Sequence, residues 1–144
     1  MNWQELQQRI ETWEDLHTEF KEWPVRPVEL AATLVAFANT DGGQLILGIA
    51  DDRRIVGLDD SDAVMQTVDQ VACQNCEPPL TVVQETVRAD SGAVVVVVNV
   101  PKGDQRPYRT IRGDFYIRTS SGRRRASRQE LLRLFQAVKA SPGR

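Results

Sequence analysis

A run of valines between Ala93 and Val100 constrains the fold of this 144-residue chain more than any other feature. Residues 93–98 are apolar at every position, and only Asn99 interrupts the run before Val100. A strand with one face in solvent alternates apolar and polar residues, so a run without alternation predicts a central strand that is covered on both faces. The rest of the chain must therefore supply neighbouring strands and helices on both sides of it.

The spacing of apolar residues elsewhere predicts these covering elements. Apolar residues recur at helical spacing in four segments, and the remaining apolar segments have the composition and spacing of strands. The predicted helices are residues 3–13, 27–39, 61–77 and 127–138, and the predicted strands are residues 16–21, 44–49, 55–58, 81–88, 93–100 and 115–118. Ser61 is expected to cap the third helix, and Ser127 with Glu130 forms a capping box at the start of the fourth.

Turn residues join two pairs of the predicted strands. Residues 51–54 separate the second strand from the third, and residues 89–92 separate the fourth from the fifth, so both pairs are predicted hairpins. Hairpins interleaved with helices are typical of an α+β domain. We therefore expect residues 1–144 to form a single compact domain with a mixed, largely antiparallel sheet flanked by helices.

Composition and short motifs argue against several functional classes. No apolar run is long enough to cross a bilayer, and the N-terminal residues lack the order of a signal peptide, so we expect a cytoplasmic protein. Gly42 and Gly43 follow a helix without an adjacent lysine, which indicates a helix cap and tight turn rather than a phosphate-binding loop. Cys73 and Cys76 are interpreted as free thiols, with an intersubunit metal or redox role as the alternative, because one cysteine pair does not complete a zinc site.

Charge is distributed unevenly along the chain. Residues 1–100 contain 6 lysines and arginines against 17 aspartates and glutamates, whereas residues 101–144 contain 12 against 3. This division predicts a basic surface formed by the C-terminal third, which suits a nucleic-acid partner. Solvated ion pairs between the two parts are the alternative, because a net charge of −2 gives the whole chain no attraction for a polyanion.

Arginine predominates over lysine in this basic part, and its planar guanidinium suits bidentate contacts with phosphate. Two serines and the start of the last helix add hydrogen-bond donors for an anion. The candidate nucleic-acid-binding residues are Arg106, Arg109, Arg112, Arg118, Ser120, Ser121, Arg123, Arg124, Arg125 and Arg128. Tyr108, Phe115 and Tyr116 lie among them and could stack on unpaired bases, although core packing explains Phe115 as well.

Carboxylates near the first two predicted strands form a second group of candidates. Glu14 and Glu19 flank the start of the first strand, Asp51 and Asp52 follow the second, and Lys21 shares a strand face with Glu19. If the two strands are neighbours, these side chains could converge into a site for a hard divalent cation. A surface ion pair between Glu19 and Lys21 is the alternative.

Several segments in this order resemble one known family, the Schlafen-type AlbA-like domain. The matching segments are residues 14–21 (EDLHTEFK), 37–49 (FANTDGGQLILGI), 56–58 (VGL), 106–108 (RPY) and 116–121 (YIRTSS). The resemblance implies a mixed α+β fold and nucleic-acid binding, because the family is described as a DNA-binding domain of transcriptional regulators.

The resemblance also implies a second activity. In Schlafen proteins two such units form a ribonuclease core that cleaves structured RNA such as tRNA, with two glutamates and an aspartate binding a divalent metal. Those residues match Glu14, Glu19 and Asp51 here, with Asp52 left open for the aspartate. A single unit would have to dimerise to form the corresponding two-unit surface.

Three hypotheses follow. The first is a cytoplasmic, homodimeric protein that binds DNA or RNA through its arginines, as in a transcriptional regulator, and needs no cofactor for binding. The alternative is an endoribonuclease dependent on Mg²⁺ or Mn²⁺, in which Glu14, Glu19 and Asp51 hold the ion and Lys21 assists at the scissile phosphate. The second alternative is a protein-interaction module that docks a partner through the first and last helices.

Overall fold

A computed structural model of the chain describes residues 1–139. The helices are α1 (Trp3–Thr12), α2 (Pro27–Asn39), α3 (Ser61–Gln74) and α4 (Arg128–Lys139). The strands are β1 (Thr18–Lys21), β2 (Gly43–Leu47), β3 (Cys76–Glu77), β4 (Val83–Arg88), β5 (Val94–Val100), β6 (Arg109–Thr110), β7 (Tyr116–Thr119) and β8 (Gly122–Arg125). The predicted α+β class and the four predicted helices are therefore confirmed.

Four strands form the main sheet in the order β1-β2-β5-β4. β1 pairs with β2 in parallel, and β5 pairs antiparallel with β2 on one side and β4 on the other. The valine strand β5 is thus internal, and its residues 95–98 are inaccessible to solvent. The central strand predicted from the valine run is confirmed.

Successive valines of β5 enter two different cores, because successive side chains of a strand point to opposite faces. Val96 and Val98 pack in a core with side chains of α2 and α3. Val95 and Val97 pack in a second core with Leu6 of α1. The helix α1 therefore covers one face of the sheet, and α2 and α3 cover the other.

Residues 55–58 do not form the predicted strand. The structure has one isolated bridge there, between Ile49 and Ile55, and the amides of Val56 and Gly57 both donate to the carbonyl of Gly48. β2 cannot pair with this segment because its two edges are already occupied by β1 and β5. The predicted hairpin between β4 and β5 is confirmed.

Other local features also differ from the sequence-based expectations. The third helix ends at Gln74, so Cys76 and Glu77, predicted as its end, instead form β3 and pair antiparallel with β6. Asp60, not Ser61, caps α3, because its carboxylate accepts the amide of Ala63 at 3.1 Å. The strand β8 was not expected, and it pairs antiparallel with β7. Its sequence Gly-Arg-Arg-Arg has no apolar residue, so hydrophobic alternation could not reveal it.

Within residues 1–139, every helix is too short or too polar to cross a membrane.

Cys73 is exposed and Cys76 is buried, and both are free thiols. Burial raises the pKa of the Cys76 thiol to about 12, so this sulfur stays protonated.

Candidate nucleic-acid interface

The β7–β8 hairpin is fixed to the C-terminal end of α2 by a buried asparagine. The Nδ2 of Asn39 donates to the carbonyls of Tyr108 at 2.8 Å and Tyr116 at 2.9 Å, and its Oδ1 accepts the amide of Tyr108. The next residue, Thr40, accepts the amide of Arg118 at 2.8 Å. Sequence reasoning treated this Asn-Thr pair only as the end of a helix and missed its role in positioning the hairpin.

Arg118 is a structural residue and not part of an exposed phosphate-binding surface, which corrects the sequence-based assignment. It is 3% exposed, and its Nη1 donates to Glu19. Its Nη2 donates to the carbonyl of Asp15 at 2.7 Å, and its guanidinium lies over the ring of Phe37 at 4.4 Å. These contacts join β7 to the segment that leads into β1, and they leave the charge with no access to an external anion.

Arg123 lies directly opposite Arg118 in the hairpin, so both side chains point toward α2. Its Nη2 donates to the carboxylate of Glu29, and its Nη1 donates to the hydroxyl of Thr33 at 3.2 Å. The hydrogen bond from Arg123 lowers the pKa of Glu29, which keeps that carboxylate ionised. Arg123 is thus half-buried and tethers β8 to the helix.

The arginines that follow Arg123 are exposed. Arg124 forms a bidentate pair with Glu130, with Nη–Oε distances of 2.7 and 2.9 Å. The Nη2 of Arg125 lies 3.4 Å from a carboxylate oxygen of Asp114, and its side chain is 72% exposed. Arg128 at the start of α4 is exposed, and its side chain has no hydrogen bond or ion pair with any residue of the described part of the chain.

The other basic candidates lie before the hairpin and differ in accessibility. Arg106 and Arg109 are half-buried and donate to the carbonyls of Gly103 and Thr110. Arg112 is exposed, and it is unpaired within residues 1–139. The two candidate serines, 120 and 121, are exposed in the turn between β7 and β8.

The capping box predicted for α4 is confirmed. The amide of Ser127 donates to Glu130 Oε1 at 2.8 Å, and the amide of Glu130 donates to Ser127 Oγ at 3.2 Å. Hydrogen bonds from Arg124 and from Ser127 lower the pKa of Glu130 to about 2. The interface therefore keeps a carboxylate beside its arginines at neutral pH.

Glu19, the central carboxylate of the predicted metal site, is bound by other side chains of the protein. Glu19 is 8% exposed, and one of its oxygens accepts from Arg118. The other oxygen accepts the hydroxyl of Thr33 at 3.2 Å and lies 3.3 Å from Nζ of Lys21. The predicted pairing of Glu19 with Lys21 exists, but it joins a buried carboxylate to a half-buried lysine rather than two surface groups.

The remaining carboxylates do not join Glu19 in a cluster. Glu14 accepts the amide of Phe20 at 2.9 Å, and Asp51 is exposed in the turn after β2. Asp52 accepts the amide of Arg54 in the same turn. Within residues 1–139, no three His, Cys, Asp or Glu side chains are grouped so that they could hold a metal ion. The donors expected to bind Mg²⁺ or Mn²⁺ therefore do not fit the ion in this arrangement.

Gly42 and Gly43 have the structural role predicted for them. A Cβ on Gly43 would lie 2.5 Å from the ring of Phe37 and 2.6 Å from the carbonyl oxygen of His17. Gly42 has φ +71°, and its amide donates to the carbonyl of Phe37 at 2.8 Å. The two glycines thus allow the chain to leave α2 and enter β2 without side-chain clashes.

Two solved structures resemble this fold. One is the DIP2311 protein of Corynebacterium diphtheriae, with a TM-score of 0.62 and 22% identity over 92% of this chain. This chain spans 27% of the length of that protein. The other is the N-terminal domain of a protein from Nitrosomonas europaea that is described as an ATP-dependent DNA helicase RecG-related protein. Its TM-score is 0.62 and its identity 25%, over 77% of this chain and 81% of that domain.

Sequence comparison gives the family. Among curated proteins, no sequence shows significant similarity to this chain. The family described as Schlafen, AlbA_2 matches residues 14–127, which include β1, the Asn39 anchor and the whole β7–β8 hairpin. The chain therefore belongs to the Schlafen AlbA_2 family.

Proposed function

We propose that this domain binds nucleic acid, DNA or RNA, through the exposed arginines at the end of β8 and the start of α4. The observation that carries the proposal is the exposure of three arginines close together in the chain, Arg124 and Arg125 at the end of β8 and Arg128 at the start of α4. Their planar guanidinium groups match the geometry of phosphate oxygens. Ser120 and Ser121 add hydroxyl donors at the other end of the same hairpin.

The buried arginines support the proposal indirectly. Arg118 and Arg123 hold the hairpin against β1 and α2, so Arg124 and Arg125 are presented on a fixed strand rather than on a loose loop. A fixed surface loses less conformational entropy when it binds. Contacts between exposed arginines and phosphates position a protein on the nucleic-acid backbone and carry little sequence information.

Duplex DNA is the ligand that we favour testing first. The structural neighbour from Nitrosomonas europaea is described as related to a DNA helicase, and this chain shares its N-terminal fold. Binding to DNA is also what a role in transcriptional regulation would require. RNA stays within the proposal, because phosphate contacts alone do not distinguish the two polymers.

The test is a salt titration of binding to a labelled DNA duplex and to tRNA. We compare the wild type with Arg125→Gln/Arg128→Gln. The double variant should bind more weakly, and the slope of log K against log salt should fall by roughly 0.9 for each duplex phosphate contact that is lost.

A matched control removes the same number of charges elsewhere. Arg54 and Arg88 are both exposed, and Arg88 lies on β4, at the sheet edge opposite to β1. Arg54→Gln/Arg88→Gln should keep the wild-type slope. An interface double variant that behaves like this control would contradict the proposed surface.

The homodimer is a further part of the proposal. Leu132 and Phe135 of α4 are 53% and 54% exposed, and no side chain of residues 128–137 is buried. An amphipathic helix whose apolar side chains are exposed in the monomer suits contact with a second copy.

The ribonuclease alternative has no comparable support, because its metal-donor residues do not lie together in one site.

A further inference from the structure

We propose that Ser127 is a phosphorylation site for an arginine-directed serine/threonine protein kinase, and that its phosphorylation weakens nucleic-acid binding. The first half of this proposal is independent of the function proposed above, and the second half rests on it. The modification would place a dianion inside the arginine cluster.

The sequence before Ser127 has the charge pattern of such a substrate. Arg124 and Arg125 occupy the third and second positions before the serine, and Ala126 separates them from it. Kinases of this class select substrates by pairing acidic residues of their groove with arginines at these two positions. Ser120 and Ser121 each have only one arginine at these positions, Arg118, and it is buried, so they lack the accessible pair.

The structure leaves the serine and its arginines accessible. Ser127 lies between the end of β8 and the start of α4, and it is exposed together with Arg124 and Arg125. The contacts of its side chain are with a single residue, Glu130. An incoming phosphoryl group can therefore reach Oγ without displacing any core residue.

A kinase must also extend the segment on both sides of the serine. On the C-terminal side this requires opening the first turn of α4, which contains no buried side chain. Segments with few buried apolar contacts open at low cost in free energy. On the N-terminal side, Arg124 and Arg125 are already extended in β8, but the end of this strand has to separate from β7. Arg124 has to leave Glu130, Arg125 has to leave Asp114, and the amide of Ala126 has to leave the carbonyl of Phe115.

The reaction is an ordinary phosphoryl transfer from ATP bound to the kinase. The bond between the γ-phosphorus and the oxygen that bridges it to the β-phosphate breaks, and Ser127 Oγ forms the new P–O bond. The hydroxyl proton leaves Oγ, and ADP carries away the bonding electrons as the leaving group. No oxidant, reductant or other co-reactant is needed.

The product changes the local electrostatics in one direction. Phosphate at the N-terminus of a helix is stabilised by the free amides there and by neighbouring arginines. It repels the carboxylate of Glu130, so Arg124 is expected to move from Glu130 to the phosphate. Arg124 would exchange one anionic partner for another, and the added dianion would offset the charge of Arg128, so the surface that faces a nucleic acid would become less positive.

The experiment treats the full chain with MgATP and the catalytic subunit of cyclic-AMP-dependent protein kinase, which is arginine-directed. Phosphate is measured by intact mass and located by peptide fragmentation. The control variant is Ser127→Asn, because asparagine keeps the helix cap and has no hydroxyl to accept phosphate.

We expect one phosphoryl group on Ser127 in the wild type, and none in Ser127→Asn. Absence of phosphate from the folded wild type, or phosphate only at other residues, would overturn the site. The phosphorylated protein should bind the DNA duplex at least about tenfold more weakly, as expected when one or two phosphate contacts are lost.

The two halves fail separately. If Ser127 is phosphorylated and the affinity for the duplex is unchanged, the regulatory half is overturned while the site stands. If neither the modified nor the unmodified protein binds nucleic acid at low salt, the function proposed above is wrong and the regulatory half falls with it.

Discussion

The arginines of the C-terminal third have different roles although they look alike in the sequence. Arg118 is buried against Glu19 and backbone carbonyls, Arg123 is half-buried against Glu29, and Arg125 is exposed. A buried charge must find a partner, since leaving it unpaired costs several kcal/mol. Which arginine meets a carboxylate depends on the fold. The local sequence could therefore identify the candidate arginines, but it could not show which are buried and which are exposed.

The burial of Arg118 against Glu19 predicts that substituting Glu19 strongly lowers the free energy of unfolding. Glu19→Ala leaves the buried guanidinium of Arg118 without its carboxylate, and removing one partner of a buried pair typically costs about 3–5 kcal/mol. Urea unfolding followed by circular dichroism measures the change. Glu14→Ala is the control, because Glu14 is exposed and accepts one amide, so its loss should cost about 1 kcal/mol.

The same variants separate structure from catalysis. Incubation of tRNA with Mg²⁺ or Mn²⁺ should leave the RNA intact in the presence of wild type and variants alike. Metal-dependent cleavage that disappears in Glu14→Ala, which should remain folded, would restore the ribonuclease hypothesis. A Glu19→Ala protein as stable as the wild type would contradict the structural role of the ion pair.

The helices and strands were predictable where their own side chains determine burial. The valines of β5 carry that information themselves, and the capping box of Ser127 and Glu130 is local. Residues 55–58 and β8 were not predictable, because pairing depends on which strand edges the rest of the fold leaves open. The parallel pairing of β1 with β2 is likewise set by distant contacts.

The helix α4 should respond to acid through Glu130. Hydrogen bonds from Arg124 and Ser127 lower the pKa of Glu130 from 4.5 to about 2 in the folded protein. A carboxyl group with a lowered folded pKa contributes stability above its unfolded pKa and loses it as the pH falls through the folded value. We therefore expect α4 to weaken between about pH 4.5 and pH 2.

Amide resonances of residues 128–137, followed by NMR through this pH range, measure the effect. The matched control is Glu130→Gln, which keeps the length of the side chain and removes the titration. Its α4 should be less stable at neutral pH and should show little further change in acid. If the variant and the wild type follow the same pH profile, the carboxylate does not stabilise the helix.

The fold decides which charges of the unevenly charged chain lie on the surface. The loop before β7 is anchored to α2 by Asn39, and the hairpin is joined to β1 by Arg118, so the exposed arginines are held beside an acidic N-terminal part. The arginines that face solvent are those that this part does not neutralise. The sequence therefore predicted the basic region, while its accessible members required the three-dimensional contacts.

Assembly into a homodimer would double this surface and is testable through α4. Leu132 is 53% exposed, and burying its side chain between two copies would be favourable by roughly 1.5–3 kcal/mol per copy. We expect light scattering after size-exclusion chromatography to give a dimer for the wild type and a monomer for Leu132→Glu. Two linked arginine surfaces also bind one duplex more tightly than one surface, so the monomeric variant should have lower affinity for DNA.

The control for this prediction places the same charge on another exposed apolar residue. Val83 on β4 is 67% exposed, so Val83→Glu should leave both the mass and the affinity unchanged. Loss of the dimer in Val83→Glu but not in Leu132→Glu would move the contact to the edge of the sheet. A wild type that is monomeric at every concentration would contradict the homodimer, and DNA would then bind a single arginine surface.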